Sequence, residues 1–206
     1  MTRTPPVSTQ ESSTARDRAK QSRRAALLRA ASEQFARSGY AGVSLEDIGS
    51  AAGVSGPAVY RHFAGKQALL GAVLVEVSED LVTGGRAVAS SGDTPAERMD
   101  ALIRFHVDFA LSHPDVIRVQ DRDVTHLGDE DLRRVRRLQR AYIDLWQETL
   151  AALLDAGADQ LRLRVQACFG LINSTPHSTR AAERASAETA HVLRAMATAA
   201  LLAPSR

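Results

Sequence analysis

The chain has 206 residues, 44% hydrophobic and 24% charged, with a formal net charge of +2, a globular composition that excludes a disordered or collagen-like chain. Its longest apolar stretch, around Leu69 to Val77, is too short to span a bilayer. The charge is uneven: residues 1–70 carry ten Lys/Arg against five Asp/Glu, and the other 136 carry sixteen against nineteen, so the basic N-terminal third suits a polyanionic partner.

In chain order, residues 1–17 are Ser-, Thr- and Pro-rich without an apolar period and read as a disordered tail. From Arg18 a helical stripe runs through Ala26, Leu27, Ala30, Ala31, Phe35 and Ala36, and Gly39 stands where a helix end favours positive φ. Ser44 before Leu45-Glu46-Asp47 is an N-cap with acids in the first turn. That second helix ends by Gly53, and Pro57 fits the first turn of a third. A fourth runs from about Lys66 to about Ser90, with Gly84-Gly85 as either a bend or the helix end. No stretch keeps a strand period, so the expected class is all-α.

Two short helices around Gly53-Val54-Ser55, with Gly49 four residues before Gly53, fit a helix-turn-helix. In such a unit the second helix enters the DNA major groove by its N-terminal end. Ile48, Val54 and Val59 are expected to form its small core, with Phe63 folding back toward Phe35. Ser55, Tyr60, Arg61 and His62 are then the exposed hydrogen donors for phosphates and base edges. The arm Arg16, Arg18, Lys20, Arg23 and Arg24 either tracks phosphates or is an ordinary solvated helix start.

The block Gly39-Tyr40, Ser44-Leu45-Glu46-Asp47-Ile48, Ala52-Gly53-Val54-Ser55, Val59-Tyr60-Arg61-His62-Phe63 and Lys66 resembles the N-terminal signature of the TetR family of one-component transcriptional regulators. The resemblance implies a subunit of about nine helices and no cofactor. It would divide into residues 18–65, a DNA-binding domain, and 66–206, a ligand-binding and dimerisation domain. It also implies a homodimer that leaves a palindromic double-stranded operator when a small molecule binds, hence a repressor. By the same resemblance Ser44, Tyr60, His62 and Lys66 are phosphate contacts, and Ser55, Gly56, Pro57, Ala58 and Arg61 form the groove-facing turn. Gly49 departs from the usual alanine, at ~1 kcal/mol of helix propensity. Pro57-Ala58 offers no polar base reader, so specificity falls to Arg61, Ser55, backbone approach and DNA shape.

Farther on, Met99, Leu102, His106, Phe109 and His113 share one helix face, and Leu138, Tyr142, Leu145 and Thr149 another, with Trp146 beside them. Five of the nine aromatics (Phe105, Phe109, Tyr142, Trp146, Phe169) lie in this part. An apolar pocket with a few polar groups suits a small-molecule sensor, and Leu102, Phe105, His106, Phe109, His113, Arg122, Tyr142 and Trp146 are its expected lining; plain core is the competing reading. A metal site is not expected, because His106 and His113 would stand about 10 Å apart along their helix at 1.5 Å per residue. The run Arg133, Arg134, Arg136, Arg137 and Arg140 follows Asp129-Glu130-Asp131. Either it pairs with acids, or it holds the charge of an acyl-CoA whose tail enters the pocket. Val119 to Asp123 and Tyr142 to Trp146 are similar to family members that control lipid, sterol or branched-chain acyl-CoA catabolism.

Near the end, Leu161, Val165, Cys168 and Ile172 form one stripe, and Thr189, Val192, Met196 and Ala199 another. They are expected to build a four-helix dimer interface, with Asn173 to Ser178 as the connection. Cys168 is the lone cysteine, so the expected home is a reducing cytoplasm. There is no nucleophile elbow, P-loop or HExxH, and an apolar stripe disfavours a thiolate, so no enzyme activity and no catalytic residue are expected.

Overall fold

The computed structural model describes residues 15–204, all-α throughout that span. The order is α1 (Ala15–Ser38), α2 (Leu45–Ala51), α3 (Gly56–Val59), α4 (Lys66–Ser90), α5 (Pro95–Ser112), α6 (Pro114–Asp123), a 3-10 turn (Val124–His126), α7 (Asp129–Ala151), α8 (Ala158–Asn173), α9 (Thr175–Ser178), α10 (Ala181–Arg184) and α11 (Ala187–Leu202). The expected connection, Asn173 to Ser178, holds the single turn α9, and a second single turn, α10, follows it before α11. Residues 1–14 of the expected tail lie outside the described residues, while 15–17 already belong to α1.

Local chemistry sets the boundaries. Ser44 and Asp47 close a reciprocal capping box at the start of α2, and Thr94 and Glu97 do the same for α5. These hydrogen bonds hold both carboxyls below the usual carboxylate range. Gly39 and Gly53 take φ of +77° and +70°, conformations that favour glycine, and these end α1 and turn α2 toward α3.

Two cores form. One joins Leu27, Phe35, Ile48, Val59 and Phe63 of the N-terminal helices to Leu70 and Leu74 of α4, and also to Val116 and Val119 of α6. The N-terminal helices therefore share a core with the body, through α4 and α6. The second joins the far half of α4 to α5, α7, α8 and α11, with Trp146, Leu102, Leu150, Ile172 and Leu201 fully buried.

Helix α4 continues without a break to Ser90, so Gly84-Gly85 neither ends nor interrupts it. What those glycines provide is room. A Cβ on Gly85 would stand 2.6 Å from Tyr142 Cε2, and one on Gly84 2.5 Å from the Phe105 ring.

The expected dimer stripe on α8 is corrected here. Leu161, Val165, Cys168 and Ile172 are buried in the chain's own second core, where burial pushes the Cys168 thiol up to about 12. The outward face of α8 is instead the one bearing Leu163, 66% exposed, with Ala167 and Gly170. Val192, Met196 and Ala199 of α11 do face outward, joined by Leu202. No described helix is long and apolar enough to cross a membrane.

Candidate nucleic-acid interface and ligand cavity

The small core of the N-terminal unit forms as its residue sizes require. Ile48 and Val59 are fully buried, Val54 packs on them, and a Cβ on Gly49 would meet Val59 Cγ2 at 2.9 Å. This leaves the α3 turn outside. Tyr60 is 55% exposed, Ser55, Pro57 and Arg61 are exposed, and Gly56, Ala58 and His62 are partly so. Ser55 stands at the N-cap position without using its hydroxyl there. Arg61 and His62 meet Arg16, Lys20 and Arg23 of α1 around a surface hollow of about 620 Å³, with Asp17 at its edge. Five basic side chains around one concave surface suit a phosphate backbone.

Three expected contacts are already engaged. Lys66 donates to the Tyr40 and Val43 carbonyls, 2.8 Å each, and lies 4.5 Å from the centre of the Tyr40 ring. It braces the fold rather than reaching outward. The Ser44 hydroxyl donates to Asp47 at 2.6 Å and accepts from its amide at 3.0 Å. Arg24 leaves the basic arm to pair with Glu76 and lie over Phe63, which is buried in the same core as Phe35, on the side of α1 where it was expected.

In the body, a cavity of about 260 Å³ opens among α4, α5, α6, α7 and α8. Ser78 and Leu81 come from α4, His106 from α5 and Gln120 from α6; Leu138, Gln139, Tyr142 and Ile143 come from α7, and Phe169 and Asn173 from α8. Among the described residues no charged side chain lines it. His106 is 3% exposed, and burial pushes its imidazole down to about 4, so the ring is neutral near pH 7. Burial also raises the Tyr142 phenol, which stays protonated. The Tyr142 hydroxyl lies 3.4 Å from His106 Nδ1. Neither His106 Nε2 nor Asn173 Oδ1 completes a hydrogen bond.

Of the expected lining, His106 and Tyr142 reach this cavity and the others do not. Leu102 and Trp146 are fully buried core behind it. Phe105, Phe109 and His113 line a separate hollow of about 280 Å³ between α4 and α5, with the Phe109 and His113 rings stacked at 5.2 Å. Arg122 belongs to neither. Its guanidinium donates to the Phe35 carbonyl and, at 3.4 Å, to that of Ala36. It also pairs at 3.1 Å with Asp123, which is 2% exposed. Arg122 thus caps the carbonyl end of α1. Beside it Tyr40 stacks on His126 at 4.6 Å, and Gln67 donates to the His126 carbonyl at 3.0 Å.

Sequence reasoning missed Gln120, Gln139, Phe169 and Asn173. Phe169 stacks on Tyr142 at 5.6 Å and lies 4.6 Å from the His106 ring; its aromatic character was the one available signal. Of the arginines on α7, only Arg134 forms an ion pair among the described residues, with Glu79, and not with the acidic run before it.

Two family models match this chain. The model for bacterial regulatory proteins of the tetR family covers residues 27–73, and that for the tetracyclin repressor-like C-terminal domain covers residues 92–177. The HTH-type transcriptional repressor KstR2 of Rhodococcus jostii (strain RHA1) is 28% identical over 158 residues, 76% of this chain and 77% of that protein. A TetR-family regulator from Bordetella parapertussis 12822 superposes with a TM-score of 0.77 at 22% identity, over 87% of this chain and 94% of its own. AibR, in a crystal structure with isovaleryl coenzyme A and operator DNA, superposes with a TM-score of 0.72 at 17% identity, over 89% and 100%. At these identities the two structures speak to fold alone.

Proposed function

Since this chain belongs to the TetR family of bacterial regulatory proteins, DNA-binding transcriptional regulators and not enzymes, we propose that it is a ligand-released repressor. It binds a palindromic operator as a homodimer and leaves when a small effector enters the cavity beside His106. The carrying observation is that α6 touches both sites: Gln120 lines the cavity, and Arg122 holds the end of α1. A ligand that displaces Gln120 moves a short helix whose opposite side is fastened to the reading head, and so alters the spacing of the two heads on DNA.

On the DNA, Tyr60 and His62 take phosphates, joined by Arg16, Lys20 and Arg23. Arg61 and Ser55 read base edges, while Gly56, Pro57 and Ala58 let the backbone come close. The homodimer forms through Leu163 and Gly170 of α8 with Val192, Met196 and Leu202 of α11. Among the described residues, four of the five exposed large hydrophobics lie on these two helices, and such apolar surface marks an interface.

For the effector we propose a short acyl-CoA. Arg136 and Arg140 each stand three residues before a cavity-lining residue of α7, Gln139 and Ile143, so they neighbour the cavity on the helix surface. They are exposed, form no ion pair among the described residues, and can take the phosphates of coenzyme A while the acyl end enters the cavity. AibR holds such a thioester, isovaleryl coenzyme A.

The test is a gel-shift and footprinting titration on the DNA upstream of the chain's own gene, with and without short acyl-CoA thioesters. A protected palindrome that one thioester abolishes supports this function. Uniform coating of any DNA, or protection indifferent to every thioester, opposes it.

A further inference from the structure

The polar groups of the cavity are not scattered, and their role as ligand contacts rests on the reading of this cavity as the effector site. His106 Nε2 and Asn173 Oδ1 are both buried and both lack a hydrogen-bond partner. The Asn173 side chain is close enough to the imidazole to oppose, in small part, its downward shift. Both residues line the one cavity, and a buried, unmade hydrogen bond costs roughly 1–3 kcal/mol, so a third group that answers both atoms is favoured there.

The hydrogen-bond polarity of the pair follows from its neighbours. Tyr142 keeps its proton, and a phenol hydroxyl can donate it. The phenol proton is then available to His106 Nδ1, 3.4 Å away. With Nδ1 accepting, the imidazole proton sits on Nε2. The cavity thus presents one donor, His106 Nε2–H, and one acceptor, Asn173 Oδ1. With no charged side chain in the lining among the described residues, neither a carboxylate nor an ammonium group finds a partner there.

We propose that the buried end of the effector carries an uncharged hydroxyl group that bridges His106 and Asn173, accepting from Nε2–H and donating to Oδ1. A hydroxyl is the smallest group that does both with one atom. A carbonyl answers only the histidine, and a plain hydrocarbon answers neither. The volume of about 260 Å³ lies below the roughly 300–1,000 Å³ of drug-sized pockets, which restricts this end to a short chain or a single small ring.

Trp146 is the sole tryptophan and lies 5.9 Å from the His106 ring and 4.9 Å from that of Phe169, so its fluorescence reports occupancy without DNA. The probes for the full-length protein are butyryl-CoA, 3-hydroxybutyryl-CoA and acetoacetyl-CoA, which place a hydrocarbon, a hydroxyl and a carbonyl on one skeleton. Free cyclohexanol, cyclohexanone and methylcyclohexane repeat the comparison without coenzyme A. The hydroxyl member of at least one trio is expected to bind ~10-fold or more tightly than its hydrocarbon partner, from one to two net hydrogen bonds. That preference is expected to vanish in His106→Leu and in the half-buried Asn173→Leu, while hydrocarbon binding persists. Equal affinity for hydroxyl and hydrocarbon, or a carbonyl preferred over the hydroxyl, overturns the inference while leaving the cavity as effector site. Discrimination among the free ring compounds with no thioester binding sustains the hydroxyl and removes coenzyme A. No binding of any probe overturns both readings.

Discussion

Gln120 and Arg122 are two residues apart on α6 and point to opposite sides of it, as about 200° of helical rotation requires. The first lines the cavity and the second grips the carbonyl end of α1. Arg122→Ala is therefore expected to weaken the link between the sites as well as the fold. It leaves the buried Asp123 without its cation and removes charge-assisted bonds worth about 1–3 kcal/mol in stability. Urea denaturation reads the effect on the fold. The weakened link is read as operator binding that persists with a diminished response to the effector, and an unaltered response would show that the junction does not transmit.

The two ridges of the reading head should fail differently. Tyr60→Phe is expected to weaken binding about equally for every operator variant, because a phosphate contact carries no sequence information. Arg61→Ala should cost about 1–3 kcal/mol and relax specificity at one base position. Affinity measured across single-base operator variants separates them, and a position-specific loss on Tyr60→Phe would contradict the assignment.

Opposite faces of α8 give opposite outcomes. Leu163→Asp places a charge on the exposed face and is expected to yield a monomer by light scattering. Ile172→Ala empties a fully buried site and should cost about 2–5 kcal/mol with the oligomeric state unchanged at the same protein concentration. A dimeric Leu163→Asp protein would move the interface elsewhere.

The sequence made the N-terminal unit legible because its signals are local. Gly39 and Gly53 both take positive φ, Ser44 caps with Asp47, and α4 runs from Lys66 to Ser90 as its period indicates. The errors came where helices meet. Helix α8 is apolar on two faces, and periodicity finds a stripe without saying which stripe the chain's own helices cover. Leu161 to Ile172 therefore passed for an interface. Lys66 and Arg122 have backbone carbonyl partners more than twenty residues away, which no spacing reveals. Gln120 and Asn173 line the cavity only because α6 and α8 converge on it, and neither residue type signals a site by itself.

The buried imidazole makes stability depend on pH. Its value falls from the ordinary 6.5 to about 4 on folding, so between these values the unfolded chain holds a proton that the native one does not. Stability from this group is complete above about pH 6.5 and declines as pH drops toward 4, by about 3 kcal/mol in all. Carboxylates titrate in the same range, so the measurement is the difference between wild type and His106→Gln in denaturant midpoints at pH 7 and pH 5. The variant should show the shallower decline, and equal slopes would place the histidine in water.

Coupling between the two sites is tested most directly by measuring it from both ends. Trp146 fluorescence gives the affinity for the thioester that lifts the footprint, in the presence and absence of saturating operator duplex, and gel shifts give operator affinity with and without that thioester. Linkage requires the two factors to be equal, and a release mechanism through α6 predicts weakening by the same ratio in both directions. A thioester bound with identical affinity by free and operator-bound protein would contradict it.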